Sequence, residues 1–476
     1  MEKRKGAPWM NEAIKADVLV LGGGPGGYSA AFHAADLGLK TVLVDERENP
    51  GGVCLHEGCI PSKALLHAAR VITEVSEANE FGLEFEEPNL DLERLRSWKN
   101  KVVLQLTGGL GKLAKARQVR YIQARARFRD ARHVIIEDSE RTEVEFEHAI
   151  VATGSKPALI PGVELEDDRV VDSSGALRLP DVPGRLLVIG GGYIGLELGT
   201  VYSALGSRVT VVEMLDGLLP GADRDLVRPL AKRLEQVFEG IHLKTQVERI
   251  RTRDKGVEVT FAGSHTGTET FDRVLVSVGR KPNSGNLGLE ELGIELTSGG
   301  FIKIDEQCRT SVANLFAVGD VAGQPMLAHK AMREGKVAAE VIAGKKTAFD
   351  NRAIPAVVFT DPEVAWTGLT ETEAKAKGIE VKVLRFPWAA SGRALTLGRT
   401  EGLTKLICEP ESGRILGAGV VGVNAGELIA EPTLAVEMAA VADDVALTIH
   451  THPTLSETMG EVAEMFLGNA THVFRK

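Results

Sequence analysis

Two cysteines stand close together in Cys54-Leu55-His56-Glu57-Gly58-Cys59-Ile60-Pro61-Ser62-Lys63, and only Cys308 and Cys408 occur elsewhere. Four cysteines cannot staple 476 residues, so the close pair points to redox chemistry or to a metal. A metal would want further ligands. His56 and His67 are the candidates, but a C-x4-C spacing matches no common zinc pattern. A disulfide across so short a loop constrains the unfolded chain little, and Pro61 at a helix start distorts its geometry in favour of a reducible bond. The amino terminus of that helix and Lys63 would both stabilise a thiolate. Near the carboxyl end His452 is followed by Glu457. A histidine taken alone is more often a surface or core residue than a base, so its chemistry is left open by spacing alone.

The elements that must position these groups show as a repeat. Asp17-Val18-Leu19-Val20-Leu21 reads as a buried strand, Gly22, Gly24 and Gly27 form G-x-G-x-x-G, an Ala-rich helix runs to Leu37-Gly38, and Thr41 to Val44 ends at Asp45. The series recurs in identical register at Gly190, Gly192 and Gly195, with Leu205-Gly206, Val209 to Val212 and the terminal acid Glu213. In such a unit the first glycine permits the tight turn and the second lets backbone approach a pyrophosphate at the helix amino terminus. The third allows close helix packing, and the acid accepts from ribose hydroxyls. Two dinucleotides are therefore expected.

Ala149-Ile150-Val151-Ala152-Thr153-Gly154 lies between the repeats and reads as a crossover. Leu315-Phe316-Ala317-Val318 reads as a strand turning at Gly319-Asp320. From about Ala353 no glycine fingerprint remains. Leu403 to Ile407 and Leu416 to Val421 look like sheet there, and Gly426 to Val441 like an amphipathic helix, so a non-nucleotide domain is expected.

The length allows two to four domains. The 52 glycines exceed the roughly 7% average usage, and they cluster at the two units. A net charge of −10, with no basic run beyond Lys3 to Lys5, disfavours nucleic acid. No window approaches the roughly 18 apolar residues of a membrane span. The amino-terminal charges Glu2, Lys3, Arg4 and Lys5 have no apolar core after them, so no secretory signal is read and a cytoplasmic location is expected.

Gly51-Gly52-Val53-Cys54, Gly58-Cys59-Ile60-Pro61-Ser62-Lys63, Gly190 to Glu197 and His452-Pro453-Thr454-Leu455-Ser456-Glu457 together resemble the dihydrolipoyl dehydrogenases of the flavoprotein disulfide reductase family, class I pyridine nucleotide-disulfide oxidoreductases. The likeness runs from about Asp17 onward. It is greatest to the bacterial enzymes of 2-oxo acid dehydrogenase complexes, through Leu106 to Leu110 and Phe386 to Arg393. The resemblance implies an α/β fold with two Rossmann-like domains, for FAD and NAD, and a carboxyl-terminal α+β dimerisation domain. The implied boundaries are 1–152 for the first part of the FAD domain, 153–281 for the NAD domain, 282–352 for a return to the FAD domain, and 353–476 for the interface domain.

Gly22, Gly24, Gly27, Asp45, Lys63, Gly154, Asp320 and Ala328 fall on the family's flavin positions. Gly190, Gly192, Gly195, Glu197, Glu213 and Gly279 fall on its NAD positions. Cys54 and Cys59 would form the redox disulfide, and His452, oriented by Glu457, would take a proton from dihydrolipoamide. Lys63 would pair with Glu197 near the flavin. The implied partners are a second copy of the chain and a lipoylated acyltransferase or glycine-cleavage lipoyl protein, with a role in cell redox homeostasis. No nucleic acid, membrane or metal is implied. Two departures stand out: Asp45 replaces the commoner Glu, for which a longer or water-bridged ribose contact is expected, and His56-Glu57 replaces the commoner Asn-Val, a change expected to bear on the dithiol's potential.

Rivals fit less well. Glutathione reductases continue the dithiol motif with Val-Pro-Lys-Lys and prefer NADPH, whereas Glu213 would repel a ribose phosphate. Mercuric reductases end in paired cysteines, and this chain ends Val473-Phe474-Arg475-Lys476. A non-catalytic NADH-binding scaffold would not need Cys54, Cys59, His452 and Glu457 together.

Overall fold

A computed structural model describes residues 14–86, 88–137, 142–160 and 167–473. The charges Glu2 to Lys5 and the closing Phe474-Arg475-Lys476 lie outside the described residues. Two compact units make up the chain. One takes the chain up to Pro61 with Asn100–Lys156 and Arg280–Asp350; the other takes Ser62–Lys99, Pro157–Gly279 and the chain from Asn351.

In the first unit β1 (Ile14–Leu21), α1 (Pro25–Asp36) and β2 (Thr41–Asp45) form the expected strand, helix and parallel strand. Val18, Leu19 and Val20 are fully buried, because a parallel sheet is covered on both faces and its strands read as unbroken apolar runs. The seven-stranded sheet runs Arg120–Gln123, β2, β1, Glu143–Val151, His133–Ile136, Ala126–Asp130, and Leu315–Ala317 pairs in parallel with Ala149 to Val151. The Ala149 segment is thus the end of a central strand, after which the chain leaves the sheet. Helix α1 lies against the helix Ala328–Ile342. Their closeness depends on Gly335, where a Cβ would collide with the Gly26 carbonyl oxygen.

In the second unit an all-parallel sheet orders the strands Gly240–His242, Arg208–Val212, Arg185–Ile189, Arg273–Val276 and Val170–Val171, and the helix Tyr193–Ala204 follows the second glycine loop. A three-stranded antiparallel meander spans 245–271. Beyond residue 355 a five-stranded antiparallel sheet orders Ala356–Val358, Glu363–Gly368, Ile415–Gly422, Leu403–Cys408 and Lys382–Pro387, which contains both expected strands.

The single amphipathic helix expected over Gly426 to Val441 is corrected. Two short helices, Ala425–Leu428 and Ala430–Glu437, stand there instead. Pro432 has no N–H to donate to the Leu428 carbonyl, so the hydrogen-bond ladder breaks at Ile429. The second helix ends where Ala439 turns to a φ of 54°. Among the described residues no helix is long and apolar enough to cross a membrane.

Candidate active site

Each glycine loop is built the same way. Gly22 and Gly190 take φ of 101° and 112°, where a side chain would be strained and would also strike a neighbouring carbonyl. A Cβ on Gly27 or Gly195 would collide with the carbonyl oxygen of Gly22 or Gly190, so helix and loop can close only on glycine. The second glycine is different. A Cβ on Gly192 would meet nothing within 4 Å, and one on Gly24 would meet only the Gly52 Cα at 3.8 Å. Both residues are N-caps without a side-chain cap, leaving the first helical N–H groups directed outward. Among the described residues nothing demands glycine at these two positions, and the open space at each helix terminus suits an anion such as a dinucleotide pyrophosphate.

The acids hold the loops. Asp45 accepts from the Gly23 N–H through Oδ2 at 2.6 Å and from the Arg47 N–H through Oδ1 at 2.9 Å. Glu213, buried at 8% exposure, accepts from Gly191 through Oε2 at 2.6 Å and from Leu215 through Oε1 at 2.7 Å.

In the first unit α2 (Gly52–Glu57) carries Cys54, and Gly58 separates it from α3 (Cys59–Glu77), which continues into the second unit, so Cys59 opens a long helix with Lys63 one turn along it. Both substituted residues between the cysteines have partners. His56 Nε2 bonds the Asn49 carbonyl at 3.1 Å, and burial pulls the ring below its ordinary value; Glu57 pairs with Arg47 at 3.5 Å. Tyr28 on α1 was not singled out by the sequence, yet its phenol feels both thiols. Burial pushes it up to about 12, and the Cys54 and Cys59 charges add to that.

Asp320 sits in the turn Gly319–Val321 and accepts from Ser155 Oγ at 2.5 Å, while Arg280 donates to Ser155 Oγ at 2.7 Å and to its carbonyl at 2.8 Å. Gly154 has a φ of 69°, and Asn283 N–H donates to its carbonyl at 2.9 Å. Ala328 is the first residue of its helix. Ser155 and Arg280 carry no spacing signal; the only hint is that they directly follow Gly154 and Gly279.

In the second unit Lys63 Nζ donates to Glu197 Oε2 at 2.8 Å, and Glu197 is 4% exposed. Its Oε1 accepts from the Phe359 N–H at 3.0 Å, and the Phe359 ring centroid lies 4.6 Å from Lys63 Nζ. Phe359 therefore holds both members of the pair. Gly279 has a φ of 112° and open space where a Cβ would stand. His452 Nδ1 meets Glu457 Oε1 at 2.8 Å, and Glu457 Oε2 accepts from the Thr454 N–H at 2.6 Å. Partial burial works to raise the Glu457 carboxyl, but the Thr454 amide and the His452 ring outweigh it and hold the group below its ordinary value. The His452 side chain is 78% exposed.

A repeated strand, glycine loop, helix and acid unit, with a close thiol pair opening a helix, defines a dinucleotide-dependent thiol oxidoreductase. Comparison with known proteins agrees. The pyridine nucleotide-disulphide oxidoreductase pattern matches residues 16–335, and the dimerisation domain of the same group matches residues 354–463. The chain belongs to the pyridine nucleotide-disulphide oxidoreductase family. It is 50% identical over 470 residues to the dihydrolipoyl dehydrogenase of Vibrio parahaemolyticus, covering 98% of this chain and 99% of that protein. It is 50% identical over 465 residues to the dihydrolipoyl dehydrogenase of Haemophilus influenzae, covering 97% of each. Among solved structures, LpdA from Mycobacterium tuberculosis superposes with a TM-score of 0.88 at 26% identity, covering 95% of this chain and 99% of that one. The HOCl-induced flavoprotein disulfide reductase RclA from Escherichia coli superposes with a TM-score of 0.84 at 28% identity, covering 94% and 99%.

Proposed function

We propose that this chain oxidises protein-bound dihydrolipoamide to lipoamide and reduces NAD to NADH, through FAD and a Cys54–Cys59 redox disulfide. The observation that carries the reading is the half-identity, over nearly the full length, to proteins named dihydrolipoyl dehydrogenase. Gly22, Gly24, Gly27, Asp45, Gly154, Asp320 and Ala328 hold FAD, with Lys63 close to it, and Gly190, Gly192, Gly195, Glu197, Glu213 and Gly279 serve the NAD side. FAD, when bound, supplies the two-electron relay between the thiols and NAD.

The chain's own groups do the rest. Glu457 holds the Nδ1 side of His452 at 2.8 Å, leaving Nε2 to take the proton of a substrate thiol. The substrate thiolate attacks Cys54 Sγ, forming a mixed disulfide as the Cys54–Cys59 bond breaks, and the electron pair leaves on Cys59. The second substrate thiol, once deprotonated, attacks the substrate sulfur of the mixed disulfide, closing lipoamide and releasing Cys54. Two electrons have then moved from the substrate dithiol to the enzyme dithiol. The amino terminus of α3 and the Lys63 ammonium stabilise the Cys59 thiolate.

Leu434, Met438, Leu447 and Ile449 are each more than 60% exposed within the segment that matches a dimerisation domain. Exposed large apolar side chains so close in sequence support a homodimer, in which an exposed His452 serves the partner's thiols. A lipoylated acyltransferase or glycine-cleavage lipoyl protein in the cytoplasm would present the substrate. The deciding assay follows NADH formation from dihydrolipoamide and NAD by the purified FAD-loaded enzyme. Turnover with glutathione disulfide and NADPH instead would overturn the reading.

A further inference from the structure

Two groups of three ligating side chains lie close together outside the nucleotide loops and thiols, among the described residues. Asp223, Asp225 and Glu371 already surround a cation, because the buried Lys405 ammonium stands 2.7 Å from Asp223 and 2.9 Å from Asp225. The second group is His242, His265 and Glu269, and among the described residues no lysine ammonium pairs with its carboxylate. We propose that these three side chains form a binding site for a divalent cation of the Zn2+ class.

The three ligands come from two strands and a turn. His242 ends the edge strand Gly240–His242 of the parallel sheet, Glu269 lies in the strand Gly267–Phe271, and His265 stands in the tight connection before that strand. One ligand atom from each lies within 4.8 Å of the others. His265 Nε2 and Glu269 Oε1 are 2.9 Å apart, and two tetrahedral ligands at about 2.0 to 2.2 Å from one ion stand roughly 3.4 Å apart, so this pair needs to open by only about half an ångström.

Two imidazole nitrogens and a carboxylate, with water in the fourth position, are a donor set that zinc takes and that magnesium and calcium do not favour. Glu269 is oriented from behind, since its Oε2 accepts from Arg185 at 2.9 Å, and Arg185 is itself balanced by Glu239 at 3.1 Å. A Cβ at Gly240 would lie 3.2 Å from His242 Nε2, so glycine there keeps space beside that nitrogen. All three residues are half-buried and within reach of solvent.

The metal-free arrangement also says what binding costs. The two rings are stacked, with centroids 3.8 Å apart and planes inclined by 11°. Parallel rings do not aim their lone pairs at one point, so His242 must turn out of the stack to reach the ion. The affinity is accordingly below that of four-ligand structural zinc sites, whose ligands need no such movement.

The test is titration of the air-oxidised holoenzyme with ZnCl2 by calorimetry, together with zinc-edge X-ray absorption. We expect one Zn2+ per chain with nitrogen and oxygen ligands, imidazole scattering and no sulfur. His242→Gln and His265→Gln should each weaken binding by at least about 100-fold, and Glu269→Gln by about 10-fold. His472→Gln, which alters another histidine paired with a carboxylate, should change nothing. Each variant's metal-free melting temperature checks folding, and if His265→Gln fails to fold, His242→Gln alone decides. No binding, binding that survives loss of His242, or a sulfur ligand would overturn the proposal.

Discussion

Replacing Gly192 and Gly195 by alanine, one at a time, separates what the second glycine loop needs for its own folding from what it needs for a ligand. Gly192 has a φ of −79° and a ψ of 174°, which any residue adopts, and a methyl group there meets nothing within 4 Å. Losing glycine at an N-cap costs up to about 1 kcal/mol, and stiffening the unfolded chain returns about 0.4 to 1 kcal/mol, so stability should hardly move. A methyl on Gly195 would strike the Gly190 carbonyl oxygen and stand 2.6 Å from Ser277 Oγ and 2.9 Å from Val188 Cγ1. Overpacking typically costs about 1 to 3 kcal/mol, and a backbone oxygen cannot rotate away, which favours the upper end and more than offsets the roughly 1 kcal/mol gained in helix propensity. A net loss of about 2 kcal/mol lowers the melting temperature by roughly 5 °C.

For the ligand the order reverses. The Gly192 methyl takes the space through which a pyrophosphate reaches the helix N–H groups, and losing one charge-assisted hydrogen bond of about 1.5 to 3 kcal/mol raises KM for NAD by roughly 10- to 100-fold. Thermal unfolding without nucleotide and steady-state kinetics with NAD measure the two effects. If Gly192→Ala melts several degrees lower, or leaves KM for NAD unchanged, the division of labour among the glycines is wrong.

Four further outcomes are expected. Two-electron reduction of the yellow holoenzyme should add a long-wavelength absorption band; Cys54→Ser should show it without reductant and Cys59→Ser should lack it, the reverse pattern meaning that the roles are exchanged. Glu213→Gln leaves the loop one acceptor short, so NAD should lose its advantage over NADP in kcat/KM, and an unchanged ratio would show that the acid does not select the cofactor. Glu457 is held below the ordinary carboxylate value in the folded chain, so its contribution to stability is full above the unfolded-state value and is lost as pH falls through the folded one. Unfolding midpoints of Glu457→Gln and the unmutated protein should therefore differ near neutrality and converge in acid; a gap that persists at low pH would assign it to packing. Finally, exchanging subunits between inactive Cys59→Ser and His452→Gln dimers should restore roughly a quarter of full activity, since about half of randomly formed dimers are mixed and each carries one complete site. Mixed dimers confirmed by mass but still inactive would place His452 within its own chain's site, or outside catalysis.

What could be read ahead of the structure is what backbone chemistry imprints on spacing. The two nucleotide units were legible because a positive φ, a close approach and a terminal acid each restrict the residue type at a set interval. The Lys63–Glu197 pair came only through resemblance, since nothing in the spacing links two residues so far apart. Tyr28, Ser155, Arg280 and Phe359 were missed because a lone polar or aromatic residue in an apolar stretch has no period, and Phe359 acts in part through a backbone N–H that any residue but proline would supply. The helix over Gly426 to Val441 failed for a local reason, Pro432 interrupting a pattern that hydrophobic spacing alone would continue.

Asp45 shows how far such a reading goes. As a shorter acid it is expected to reach a ribose less well than glutamate, yet it meets the Gly23 N–H at 2.6 Å, the same distance at which Glu213 meets Gly191. The backbones are equally close, since a Cβ on Gly23 or on Gly191 would stand 3.2 Å from the Cβ of its acid. Each carboxylate oxygen that accepts one loop N–H keeps a second lone pair. Holding the loop and receiving a ribose hydroxyl are therefore compatible tasks for one side chain. The first task sets the carboxylate's position, and the missing methylene of Asp45 does not loosen the loop.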